Sequence, residues 1–157
     1  MGKEFIQAIL LVWMREPMVA GRFYPGSEEE LRKELERTFS NIQMASLPEK
    51  KIRLGITPHA GYVFSGKCAA FLYSLLRKQK FDTIIILGTN HSSLGENICF
   101  SIEDFDTPLG VVSNDVQTVE DLILKIRKTD IKVGVDNQAH KYEHSIEVQL
   151  PFLQFVQ

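Results

Sequence analysis

Asp82-Thr83-Ile84-Ile85-Ile86-Leu87 constrains the fold more than any other stretch of the chain, because it is a continuous run rich in β-branched residues. Such residues suit an extended backbone, and a run without polar alternation is typical of a parallel strand covered on both faces. A parallel strand needs a crossover to its neighbour, usually a helix. The preceding residues supply one. Ile52, Leu54 and Ile56 alternate into a strand that ends at Pro58 and His59. From Gly66 to about Gln79, Ala69, Ala70, Phe71, Leu72, Leu75 and Leu76 are apolar on most faces, as in a helix packed on a sheet. Strand, helix and strand within roughly forty residues predict a right-handed βαβ crossover. The expected class is therefore α/β, with a mostly parallel or mixed central sheet flanked by helices.

Other segments fit the same scheme. Ser27 with Glu30 forms a capping box, and Leu31, Leu35 and Phe39 recur four apart, predicting an amphipathic helix over roughly 28–40. Asn41 to Glu49 reads as a connection. Ile98 to Ile102 is a third expected strand, followed by a Thr107-Pro108-Leu109-Gly110 turn. Val116, Val119, Leu122, Ile123 and Ile126 line one side of a helix that Asn114 can cap, with Gln117 three positions on. A short strand is expected around Ile131 to Val135, then a helical stretch from Glu143 to Phe155 that Pro151 should kink or divide.

The chain of 157 residues is 44% hydrophobic and 24% charged, which suits one compact domain. Its net charge of -2 comes with scattered Lys and Arg, so no basic stripe offers a seat for nucleic acid or an anionic membrane. Cys68 and Cys99 have no CxxC spacing. Both are expected to be reduced thiols, Cys68 buried in its apolar helix, in a cytoplasmic setting. The apolar run from Phe5 to Trp13 is too short to span a bilayer. With Gln7 interrupting it and no small-x-small cleavage site behind it, residues 1–17 read as an N-terminal extension, with a natural start near Met14.

Histidines fall where chemistry is expected. His59 stands where the first strand gives way to its loop, in Pro58-His59-Ala60-Gly61-Tyr62, and His91 stands at the end of the next, in Gly88-Thr89-Asn90-His91. Ligands of open α/β sheets gather outside the carboxyl ends of strands. Neighbouring strands lie about 4.8 Å apart, so two terminal imidazoles can converge on one ion. A third cluster, His140-Lys141-Tyr142-Glu143-His144-Ser145-Ile146-Glu147, has histidines four apart, which one helix face could present together. It is not the zincin HExxH motif. His144 is a candidate proton donor or acceptor, with Glu143 or Glu147 to orient it, although Glu147 and Lys141 read better as a solvated helix face. Asp104, Asp106 and Asp136 are loop carboxylates among which spacing does not choose a ligand. Walker, GxGxxG and nucleophile-elbow patterns are absent.

Taken in order, Ala20-Gly21-Arg22-Phe23-Tyr24-Pro25, Pro58-His59-Ala60-Gly61-Tyr62 with Ser65-Gly66, Gly88-Thr89-Asn90-His91, Thr107-Pro108-Leu109-Gly110, and Glu143-His144-Ser145-Ile146-Glu147 with Leu150-Pro151-Phe152 resemble the Memo family. This family is also called AmmeMemoRadiSam system protein B. The resemblance covers Met18 to Val156, so residues 18–157 are expected to form a Memo-like α/β domain. It implies a fold similar to class III extradiol ring-cleaving dioxygenases, incomplete here at the C-terminus. It also implies a mononuclear site with His59 and His91 as metal ligands, iron(II) or copper as the metal, and a base or outer-shell role for His144. The family's third ligand, a cysteine, belongs to a part beyond this chain, and neither Cys68 nor Cys99 corresponds to it.

The expected function is a metal-dependent redox enzyme acting on a small aromatic ligand, with His144 as the catalytic proton carrier. The alternative is a non-catalytic module that binds a peptide or protein, or a metal-handling protein, using the same pocket. A sheet cut in half leaves apolar faces and an unpaired edge, so a homodimer or a partner chain is expected as well.

Overall fold

In a computed structural model of the chain, residues 14–42 and 51–157 are described. Most of the expected N-terminal extension and of the connection after Asn41 lies outside them. Two compact units are formed. The first comprises residues up to Met18, Thr89–Asp106 and Val111–Glu143, and the second Val19–Gly88, Thr107–Gly110 and His144–Gln157.

The first unit holds all the strands of the described residues. Strand β1 (Met14–Arg15) pairs in parallel with β3 (Asp104–Phe105), and β2 (Ile98–Phe100) pairs in parallel with β4 (Val133–Val135). The link from β2 to β4 contains the helix that the apolar spacing predicted, over Val116–Ile126. Its Val119 and Ile123 are buried with Val133, and Ile98, Phe100 and Ile102 pack around them. The cap differs by one residue from expectation: Asp115 Oδ1 accepts from Thr118 N at 3.0 Å, while Asn114 donates from its side chain to the Ser101 carbonyl. A short helix over Asn137–Lys141 follows β4, capped by Asp136, whose Oδ1 accepts from Gln138 N at 2.9 Å. His140 Nε2 donates to the Cys99 carbonyl at 2.9 Å and so ties this helix to β2. Arg15 is buried beside it, donating from Nε to the His140 carbonyl at 2.9 Å and from Nη2 to the Glu143 carbonyl. A guanidinium there satisfies carbonyls that the end of a helix leaves unpaired.

The second unit is helical among its described residues. In chain order the helices of the described residues are α1 (Glu28–Ser40), α2 (Tyr62–Leu76), α3 (Val116–Ile126), α4 (Asn137–Lys141) and α5 (Leu150–Val156), of which α1, α2 and α5 belong here. The Ser27 capping box starts α1, with Ser27 Oγ donating to Glu30 Oε2 at 2.9 Å. Leu31, Leu35 and Phe39 are buried, as their spacing predicts. Helix α2 begins at Tyr62, a turn earlier than expected, and lays Ala69, Ala70 and Tyr73 against the same core. Pro151 divides the last segment rather than kinking it: Glu147–Gln149 is a 3-10 turn, and Pro151 sits in the first turn of α5, where its missing N–H costs nothing. Phe152 is the centre of this core, its ring parallel to Tyr73 at 5.2 Å and 4.5 Å from Tyr62.

The segments 52–57 and 82–87, expected to be central strands, form no ladder among the described residues. A β-branched run favours extension, but a strand exists only where a second backbone completes its hydrogen bonds. One side of the first segment does face α2, since a Cβ on Gly55 would strike the Leu72 side chain at 2.6 Å. Leu54, Ile56 and Leu87 are exposed, at 84%, 93% and 84%. Cys68 is also exposed, contrary to expectation, and both cysteines are free. The observed parallel pairs and flanking helices nevertheless define an α/β protein. No helix of the described residues is long and apolar enough to cross a membrane.

Candidate metal centre

His59 sits between two anchors. Before it, the Pro58 carbonyl accepts from Gln149 Nε2 at 3.0 Å, and after it Tyr62 donates its hydroxyl to the Val148 carbonyl at 2.9 Å. Burial raises the Tyr62 phenol well above its ordinary value, with lesser contributions from Tyr24, Tyr73 and Glu147, so it stays a donor. Tyr73 in turn donates to Gln149 Oε1 at 2.9 Å, fixing the amide that holds Pro58. The loop carrying His59 is thereby fastened to the turn that follows His144. Their rings lie 5.7 Å apart at 62°.

His144 is wedged further by Phe23, whose ring meets it edge-on at 5.0 Å. Phe23 belongs to the Ala20–Pro25 motif, and a single carboxylate holds that motif in place. Glu147 Oε1 accepts from Val19 N at 2.9 Å and from the Tyr24 hydroxyl at 2.8 Å, with the residue fully buried. The reading of Glu147 as part of a solvated face is corrected here. Sequence gave no strong signal, because an isolated glutamate is usually solvated and only the tertiary fold brings two donors to it.

His91 follows Gly88, a position closed to any side chain: a Cβ there would collide with Ser145 Oγ and approach Ile146 Cγ1 to 2.6 Å. The partner of His91 is Glu143. One carboxylate accepts the His91 main-chain N–H at 2.8 Å and lies 2.9 and 3.0 Å from ring Nδ1. Glu143, next to His144 in sequence, therefore serves a histidine 52 residues away. The sequence reading offers Glu143 or Glu147 to orient His144; Glu147 is committed to Val19 and Tyr24, and Glu143 is engaged with His91. His140 is occupied with the Cys99 carbonyl and stands on α4, which ends before His144, so the two do not share a helix face.

His59 and His144 stand together in the second unit, while His91 belongs to the first, beside Glu143. His59 and His144 are half-buried and His91 is exposed. Neutral imidazoles suit zinc, copper, iron or nickel. Histidine donors of this kind fit a mononuclear transition metal. Asp136 caps α4 and Asp104 Oδ1 accepts from Asn114 N at 2.8 Å, which accounts for two of the three loop carboxylates.

Together these features define an α/β protein with candidate metal-ligating histidines at His59, His91 and His144. The sequence pattern described as "Memo: Memo-like protein" matches residues 15–157, and the chain belongs to the Memo family. It is 43% identical over 142 residues to a MEMO1 family protein of Methanosarcina barkeri, covering 90% of this chain and 49% of that protein. A MEMO1 family protein of Sulfurisphaera tokodaii is 40% identical over 152 residues, covering 90% and 52%. One from Pyrococcus abyssi is 41% identical over 145 residues, covering 91% and 48%. The chain spans about half the length of the curated relatives it matches.

Proposed function

We propose that this Memo-family chain binds one transition-metal ion through His59 and His91, with His144 as a third donor or a proton carrier, and uses it in redox chemistry related to that of extradiol dioxygenases. The observation that carries the reading is the ring contact of His59 with His144, 5.7 Å apart, in a chain that matches the Memo family over residues 15–157. Iron(II) or copper is the metal that the family resemblance implies. A bound ion of either kind supplies Lewis acidity and redox capacity at open coordination positions. The chain's own residues hold and orient the imidazoles. His144, with Phe23 against its ring, can either complete the ligand set or carry a proton for a substrate, and the exposure of His91 leaves an approach from solvent.

Metal analysis of untagged protein tests the first part: about one ion per chain is expected, and it should disappear from a His59→Ala and His91→Ala double variant. Unchanged metal content in that variant would overturn the assignment. Oxygen uptake with a catechol then separates a redox enzyme from a metal-handling or purely binding protein. Uptake should require the metal and be lost in His144→Ala if His144 is the proton carrier.

A second observation favours a polypeptide partner. Leu54, Ile56 and Leu87 are exposed on segments without a ladder, and the chain matches only about half of each relative's length. We propose that these segments receive the polypeptide corresponding to the relatives' unmatched half, whose backbone would complete the hydrogen bonds of both.

A further inference from the structure

A histidine can serve a metal only from a nitrogen that carries no proton, so the group facing the other nitrogen decides whether the ligand atom is available. For His91 that group is Glu143. Its side chain is 5% exposed, and it meets the His91 main-chain N–H at 2.8 Å and ring Nδ1 at 2.9 and 3.0 Å. An ionised carboxylate only accepts hydrogen bonds, so Nδ1 must donate. We propose that Glu143 is a positioning residue for the metal centre: by taking both hydrogens of His91 it fixes the Nδ1–H tautomer and leaves the Nε2 lone pair as the ligand atom. This rests on the metal-binding reading given above, although the tautomer itself does not depend on a metal being bound.

Residues on this side of the molecule support such a role. Arg15 donates to the Glu143 main-chain carbonyl and to the His140 carbonyl, holding the end of α4 from which Glu143 projects. The carboxylate therefore reaches His91 from an anchored backbone. Glutamine at the same place has one acceptor oxygen and one donor NH₂. The main-chain N–H of His91 can only donate and holds the amide oxygen at the place of Oε2, which sets the NH₂ at the place of Oε1, 3.0 Å from Nδ1. Oε2 also lies 2.9 Å from Nδ1, so a donor and an acceptor then compete for one ring nitrogen, and the share of the tautomer with its proton on Nε2, where it blocks the metal, rises. An isosteric change that barely alters packing thus shifts the tautomer balance.

The test is long-range ¹H–¹⁵N NMR of the histidine rings in the metal-free full chain, as wild type, Glu143→Gln and Glu143→Asp, followed by zinc(II) titration of each. His140 is an internal control for folding, because its Nε2–H donation to Cys99 should persist in all three. Expected are Nδ1–H at His91 in the wild type, a larger share of Nε2–H in Glu143→Gln, and recovery of Nδ1–H in Glu143→Asp. Zinc affinity should fall about 10- to 100-fold in the glutamine variant, with partial rescue by aspartate. A wild-type His91 protonated on Nε2, or a tautomer unmoved by Glu143→Gln while His140 is unchanged, overturns the proposal. If the tautomer shifts but no variant, wild type included, binds zinc, the tautomer assignment stands and the metal-binding reading fails, together with the positioning role that rests on it.

Discussion

Tyr24 donates its hydroxyl to the fully buried carboxylate of Glu147 at 2.8 Å, and the same oxygen accepts the Val19 main-chain N–H at 2.9 Å. This pair joins the Ala20–Pro25 motif to the 3-10 turn behind His144, and so sets where Phe23 meets the His144 ring. Glu147→Ala would strand two buried donors and should cost about 2–4 kcal/mol of stability. Tyr24→Phe removes one donor and should cost about 1–2 kcal/mol. Urea denaturation of the three proteins checks the order.

Phe152 is the hub of the helical core, buried against Tyr62, Tyr73 and Phe39. Phe152→Ala should destabilise by about 3–5 kcal/mol, combining lost burial with a cavity. Phe152→Leu should cost less, because it fills most of that space. Thermal and urea unfolding would show whether Phe152→Ala is the more damaging.

Stability should decline in alkali. Burial holds the phenols of Tyr62 and Tyr73 above the ordinary tyrosine value of ~10. Their contribution is fully present below that unfolded value and is lost as pH rises through the raised folded values, because only the unfolded chain ionises readily. Unfolding free energy measured between about pH 9 and 11 should fall with pH. Tyr73→Phe, which cannot ionise, should show the shallower fall.

Single substitutions should grade the metal centre. On the proposed ligand set, His59→Ala and His91→Ala should each weaken zinc(II) binding by at least about 10- to 100-fold. His140→Ala, whose ring is engaged by the Cys99 carbonyl, should leave the affinity within roughly the error of a titration, and calorimetry distinguishes the two outcomes.

Exposed Leu54, Ile56 and Leu87 set a test of the polypeptide partner. Co-expression with the unmatched half of the Methanosarcina barkeri relative should give a 1:1 complex in sedimentation, and Ile56→Lys should abolish it. Self-association without that half would point to a second copy of this chain as the occupant. A monomer indifferent to the added half would end the proposal.

Much of the helical structure was legible in the residues. Ser27 with Glu30, and Leu31, Leu35 and Phe39 at four-residue spacing, gave α1 with its cap, and the Val116–Ile126 spacing gave α3, because both signals are local. Strands at Ile98–Phe100 and Val133–Val135 were foreseen, each shorter than expected. The run at 82–87 failed as a strand among the described residues for a non-local reason: its propensity is intrinsic, but its ladder must come from elsewhere. His59, His91 and His144 stand out from their motifs alone, whereas the link of Glu143 to His91 and the burial of Glu147 are not legible in any local spacing.

The sequence by itself determined which residue types stand where: a family pattern, helices with their caps, and histidines at the ends of apolar segments. Only the tertiary structure decided which groups meet. A hydrogen bond is a relation between positions far apart in the chain, and no local spacing encodes that the carboxylate beside His144 faces His91, or that the glutamate three residues further on is enclosed by Val19 and Tyr24.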